Sequence, residues 1–182
     1  MNSLLLRAGR DGARPVSASA HTVKSEPCYD LGRDTPVSWS EPHADAWIGL
    51  LETHRSLTRE LEVKLRTEDG LTLSALDALS WLSAAKGRSL RLSALATRCW
   101  LSLSGISRLS DSLEARGLVE RRAVDSDRRA VEAHLTDAGL ELAQRGQATH
   151  FACVQRLFFE RLSEAEAALL AEIFSRFPTT RE

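Results

Sequence analysis

Lysine is almost missing from this chain. Of its 24 cationic side chains only Lys24, Lys64 and Lys86 are ammonium groups; the rest are arginines, in an Ala- and Leu-rich background that suggests a GC-rich, bacterial coding sequence. Cysteine is scarce as well. Cys28, Cys99 and Cys153 are odd in number, widely spaced and without a C-x-x-C pair, which argues against a disulfide framework and against a paired-thiol zinc site. Reduced thiols are the plain expectation. No apolar run approaches the roughly 18 residues of a membrane span, and "LLL" at 4–6 is too short for a signal-peptide core, so a cytoplasmic location is expected. The chain has no Gly-rich phosphate loop and no nucleophile elbow, and His21, His43, His54, His134 and His150 show no ligand spacing. The sequence therefore predicts no enzyme, no cofactor and no metal.

What is present is enough for one core. The chain has 182 residues, 43% of them hydrophobic, with a formal net charge of −1. Residues 1–40 hold Gly9, Gly12, Pro15, Pro27, Gly32 and Pro36 among Ser, Asp, Thr and Arg without periodicity, and are expected to form a disordered arm. After Ser40 and Pro42, Trp47, Leu50, Leu51, His54, Leu57, Leu61 and Leu65 recur at spacings of three and four, which predicts a long helix ending at Gly70. A shorter, largely buried helix follows, with Leu73, Leu76, Leu79 and Leu82 on one side and a stop near Gly87.

The middle of the chain reads as two short helices, "RLSALATRCW" and "SLSGISRLSDSLEARG", with Ser93 and Ser102 as candidate N-caps worth about 1 kcal/mol each and Gly117 closing the second. In that second helix Ile106, Leu109 and Leu113 form an inward stripe, while Ser104, Gly105, Ser107, Arg108 and Ser112 lie away from it. "VERRAV" and "AVEAHL" then alternate around "DSDRR", which predicts a two-stranded hairpin with Asp125 to Asp127 in the turn, Arg128 and Arg129 at the tip, and Val131, Ala133 and Leu135 on one face. Thr136 should cap a long helix carrying Leu140, Ala143, Phe151, Val154, Phe158 and Leu162, and Ser163 with Glu166 makes a capping box for a last one.

Two short helices joined by a tight turn and followed by a hairpin make a winged helix-turn-helix, in which the second helix enters the major groove of DNA and the hairpin reaches backbone and minor groove. The fold class expected is mainly α with a small β-hairpin wing, a winged helix-turn-helix domain flanked by long helices. The domain boundaries expected are a 1–40 arm, flanking helices at 41–70 and 136–182, and the DNA-binding domain at 71–135. Small or hydrogen-bonding side chains with one arginine suit a base-facing surface, and Ser104, Gly105, Ser107 and Arg108 meet that description. Charge agrees: residues 88–135 hold nine arginines against six acids, whereas residues from 136 onward hold five against seven. A near-neutral chain thus contains a basic central segment suited to phosphate. The four wing arginines, Arg121, Arg122, Arg128 and Arg129, are expected to serve phosphate and minor groove rather than the fold.

The stretch "LATRCWLSLSGISRLSDSLEARGLVERRAVDSDRRAVEAHLTDAG", residues 95–139, resembles the core of MarR-type (multiple antibiotic resistance) regulators, whose pattern runs L-A-x-x-L-x-[LS]-S-x-S-x-[VL]-[TS]-R-L-[VI]-D-x-L-E-x-x-G-L-V-x-R, then D-x-D-R-R, then L-T-x-x-G. The resemblance implies a homodimer, with the flanking helices at 41–70 and 136–182 as long dimerisation helices, on a pseudo-palindromic operator in double-stranded DNA, acting as a repressor relieved by a small aromatic or anionic effector. It places Ser104, Ser107 and Arg108 in the recognition helix and Asp127, Arg128 and Arg129 at the wing tip, with either Arg128 or Arg129 in the minor groove and Asp127 orienting it. Three positions depart from the pattern. Trp100 stands at a small turn position, Leu103 replaces a frequent Pro, and Gly105 replaces a Thr. Trp47, His54, Asp77, Trp81, Trp100 and His150 are candidates for lining an effector crevice, although Trp and His at helical spacing are more often core or interface residues. Asp77, read as a buried carboxylate in "ALDALSWL", is the most unusual of them. Alternatives carried alongside are a dimeric winged-helix interaction module without specific DNA binding and a redox-responsive regulator, the latter disfavoured because Cys28 lies in the arm.

Overall fold

The computed structural model describes residues 39–124 and 127–177, without the side chains of Val124 and of residues 127–130. The elements run α1 (Glu41–Asp69), α2 (Leu73–Ala84), a 3-10 turn (Lys86–Arg88), β1 (Ser89–Arg91), α3 (Leu92–Arg98), α4 (Leu103–Ala115), β2 (Val119–Val124), β3 (Asp127–Leu135), α5 (Asp137–Leu157), a second 3-10 turn (Phe159–Arg161) and α6 (Glu164–Ser175). This is the mainly helical winged arrangement the sequence predicts, with one strand more. β1 pairs antiparallel with β3, so the sheet has three strands in the order β1-β3-β2. A three-residue strand is too short for alternation to mark it.

The helix ends follow local chemistry. Gly70 at φ 63° closes α1, donating to the Arg66 carbonyl at 3.2 Å while Leu71 donates to Leu65 at 3.2 Å. Gly117 at φ 68° does the same for α4, with Gly117 donating to Glu114 at 2.8 Å and Leu118 to Leu113 at 3.0 Å. Thr72, Ser102, Thr136 and Ser163 each cap the helix that follows, and the Ser163–Glu166 capping box is complete. Ser93 is not a cap. The helix begins two residues earlier than a Ser93 cap would place it, straight out of β1, with Arg91 at the N-cap position and no side-chain bond there, and the Ser93 carbonyl instead accepts from the Thr97 hydroxyl at 3.2 Å.

One core forms under the wing. Leu65 and Leu71 meet Leu76, Leu79 and Leu82 of α2, Leu95 of α3, Ile106 and Leu113 of α4, Val119 of β2, Ala133 and Leu135 of β3, and Leu142 and Ala143 of α5. Along α5 the buried positions are Gly139, Leu142, Ala143, Gly146 and Cys153. That differs from the predicted stripe: Leu140 is only half-buried and Phe151 is exposed, because α5 turns small residues to the core so that α2 can approach it. The first and last helices bury little within this chain. α1 buries only Leu65 along 29 residues, α6 buries none of its residues, and Trp47, Leu50, Phe151, Phe159, Leu169 and Phe174 are exposed. Among the described residues no helix is long and apolar enough to cross a membrane.

Candidate nucleic-acid interface

α4 has two different sides. Ile106 and Leu113 are buried and Ser110 packs with them, while Ser104 and Arg108 are exposed and Gly105 and Ser107 are half-exposed on the outer side. The outer face is pre-ordered at its start: the Ser102 hydroxyl accepts the Gly105 N–H at 3.1 Å and lies 3.0 Å from the Ser104 hydroxyl. Arg108 donates from Nε to the Ser104 carbonyl at 3.3 Å and lies along its own helix. A side chain at position 105 would meet the Ser102 hydroxyl at 3.3 Å and Leu101 Cβ at 3.6 Å, so glycine keeps this end of the helix slim.

The wing strands bring their arginines to different tasks. Arg121 does not stand free for phosphate. Its Nη1 pairs with Asp111, its Nε donates to Glu114 at 2.9 Å, and its amide donates to the other Glu114 oxygen at 2.9 Å. β2 is thereby clamped to α4, and the expectation that all four wing arginines serve DNA is corrected at this position. Asp111 and Glu114 lie ten and seven residues back, in what reads as an ordinary acidic helix face. Arg122 is exposed and paired with Glu120 at 2.7 Å across one strand face. Asp127, Arg128 and Arg129 begin β3, with Asp127 already opposite Val124 in the ladder rather than in a turn. Their side chains, and residues 125–126, lie outside the described residues.

Within the clamp, Glu114 is the pH-sensitive member. The Arg121 amide, above all, holds the Glu114 carboxyl below its ordinary value of 4.5; partial desolvation opposes this and the guanidinium adds to it. A carboxylate depressed in the folded state adds stability that is fully present above its unfolded value and is lost as pH falls through the folded one. Arg121→Met is therefore expected to lower stability at pH 7, with a gap from wild type that narrows as pH falls below about 4.5. Urea unfolding of both proteins at pH 7 and pH 3.5 checks this; a gap independent of pH would remove the ion pair from the account.

The predicted effector residues do not all converge. Asp77 and His150 line one open cleft of about 480 Å³ between α2 and α5, together with Ser80, Cys99, Gln147 and Phe151. Gln147 donates to the Ser80 hydroxyl at 3.0 Å across it. Trp47 and His54 sit exposed on α1, and Trp81 is half-buried beneath Arg98, whose guanidinium carbon lies 5.1 Å from the ring centroid. None of the three lines the cleft. Asp77 is exposed rather than buried, because α2 turns it out into the cleft while Ala75, Leu76, Ala78 and Leu79 face the core. Burial and then the neighbouring Asp77 charge and hydrogen bond push the Cys99 thiol up to about 12, so it is a protonated wall of the cleft and a poor nucleophile. Cys153 is buried, and Cys28 lies outside the described residues. Among the described residues no group of His, Cys, Asp and Glu has the arrangement of a metal site.

Comparison with known proteins bears on this geometry. The MarR family model matches residues 69–130, the segment from the end of α1 through the wing. The chain is 34% identical to AbsC, a MarR family transcriptional regulator from Streptomyces coelicolor, over 75% of this chain and 93% of that one, and the structures superpose with a TM-score of 0.70. The chain belongs to the MarR family of transcriptional regulators. A second MarR structure, Sco3205 from the same organism, solved in complex with DNA, is 28% identical over 78% of this chain and 89% of that one, with a TM-score of 0.72. The transcriptional repressor MprA of Escherichia coli K12 is 30% identical over 110 residues, and the matched segment spans 62% of that relative's length.

Proposed function

We propose that this MarR protein is a homodimeric repressor that binds a pseudo-palindromic site in double-stranded DNA and releases it when a small molecule occupies the cleft between α2 and α5. The observation that carries the reading is the two-sided α4: a buried Ile106 and Leu113 side fixes the helix, and the outer side offers Ser104, Gly105, Ser107 and Arg108 at the spacing of a major-groove reader. Residues 71–135 form the DNA-binding domain in this reading, with Asp127, Arg128 and Arg129 at the wing. Sco3205, similar in fold and solved with DNA, supports it. The helices at 41–70 and 136–182 supply the dimer contact, which gives a partner to the apolar side chains that α1, α5 and α6 leave exposed. For the effector, Asp77 beside His150, Gln147 and Phe151 favours an aromatic ring bearing N–H or O–H donors over a simple anion, since an anion would face the Asp77 carboxylate.

Selecting duplexes from a random DNA pool tests the reading. It predicts enrichment of an inverted repeat, a dimer of the chain per duplex by sedimentation, and affinity that falls steeply with salt. Arg108→Ala is expected to weaken binding to that duplex by about 1 to 3 kcal/mol, as for a lost bidentate contact to guanine, with little change on a scrambled duplex. Equal losses on both would move Arg108 from base readout to the phosphates.

A further inference from the structure

Two large apolar residues stand at the leading end of α4 with no role in the core. Trp100, in the turn between α3 and α4, is 66% exposed, and Leu103, the first residue of α4, is 64% exposed. Trp100 also holds φ 55°, in the left-handed region where glycine is free and a bulky side chain is strained. The backbone there is fixed: Trp100 donates to Thr97 at 3.3 Å and Leu101 to Ala96 at 3.0 Å. Local folding therefore calls for a small residue at position 100 and a polar residue or proline at 103, and this chain has neither. The exposed apolar side chains of α1, α5 and α6 lie on the flanking helices, whereas Trp100 and Leu103 flank Ser102 at the start of the helix that carries Ser104, Ser107 and Arg108. Leu103 precedes Ser107 by one helical turn and shares an edge of the outer face with it.

We propose that Trp100 and Leu103 make an apolar contact with thymine C5-methyl groups in the major groove, adding a methyl-reading element to the hydrogen-bonding face of α4. The proposal rests on the DNA-binding reading above. DNA is the occupant because the two residues are exposed at the start of the helix that carries those donors and lie within the arginine-rich segment 88–135, a setting suited to a polyanion. The thymine methyl is the one apolar group that a base pair presents in that groove. The contact would shift operator preference towards thymine under the first residues of α4, where Gly105 offers no side chain of its own.

The test uses the full chain and the tightest duplex selected from a random pool, resynthesised with deoxyuridine replacing each thymidine in turn, which removes only the methyl. Wild type is expected to lose about fourfold in affinity for each contacted methyl, the equivalent of one methylene left in water. The double variant Trp100→Gly, Leu103→Ala should bind the unmodified duplex more weakly and be indifferent to deoxyuridine at those positions. Folding is not at risk, since glycine relieves the strained turn and alanine favours the helix. A wild type insensitive to every deoxyuridine, or a double variant that keeps full sensitivity, overturns the proposal while leaving DNA binding intact. A double variant with unchanged DNA affinity but altered mass in sedimentation also overturns it, by making the patch a protein contact. Failure of wild type to select any duplex removes the DNA reading itself, and the proposal with it.

Discussion

Gly139→Ala is expected to cost about 3 kcal/mol or more of stability, at the upper end of overpacking effects. Gly139 lies in the first turn of α5, where the helix passes over Leu118 in the turn between α4 and β2. A β-carbon there would sit 2.1 Å from the Leu118 carbonyl oxygen and 2.8 Å from Leu135 Cδ1. The obstacle is backbone and cannot rotate away. The same Leu118 oxygen accepts from the Thr136 amide at 3.2 Å and the Thr136 hydroxyl at 3.1 Å, so easing the clash would pull apart the junction of wing and helix. The gain of up to about 1 kcal/mol from removing a helical glycine is too small to offset this. Gly146→Ala is the control: its obstacles are the δ-carbons of Leu71 and Leu76, each at 2.9 Å, which can turn aside. Urea unfolding should place Gly146→Ala within about 1 to 2 kcal/mol of wild type and Gly139→Ala well below it. Equal midpoints for the two variants would show that α5 does not pass this close to Leu118.

Ile106→Ala is expected to cost about 2 to 5 kcal/mol, because the side chain is fully buried under α4 and its loss leaves a cavity in the core that also holds Leu95 and Leu113. Ser112→Ala, on the exposed side of the same helix, should stay within about 0.5 kcal/mol of wild type. The contrast measures which side of α4 is held by the protein and which is left for a ligand. Comparable losses from both substitutions, read from unfolding midpoints, would mean that the helix is rotated from the position described here.

Much of the fold was legible because its signals are local. Gly70 and Gly117 mark real left-handed helix ends, and Ser102, Thr136 and Ser163 are real caps, since each needs only a hydroxyl or a missing β-carbon within a few residues. The misread features depend on contacts distant in sequence. β1 exists only because Leu90 pairs with Ala133, and the α5 face that goes inward is set by Gly139 and Gly146 meeting Leu118, Leu71 and Leu76. The candidate site shows the same division. The outer face of α4 follows from helical period alone. The Arg121 clamp needs two acids on another element at the right height, and an arginine in a strand looks the same in sequence whether it is paired or free. Asp77 reads as buried because its sequence neighbours are apolar, yet such a neighbourhood does not tell whether a residue faces a core or a cleft.

The most direct test of the account is a fluorescence anisotropy titration of the full chain against the selected duplex and a scrambled duplex of equal length, at salt from about 50 to 200 mM. Binding that is tighter to the selected duplex, with affinity on both falling steeply as salt rises, is the predicted result. No binding to either duplex at the lowest salt, or equal affinity for the two, would contradict it.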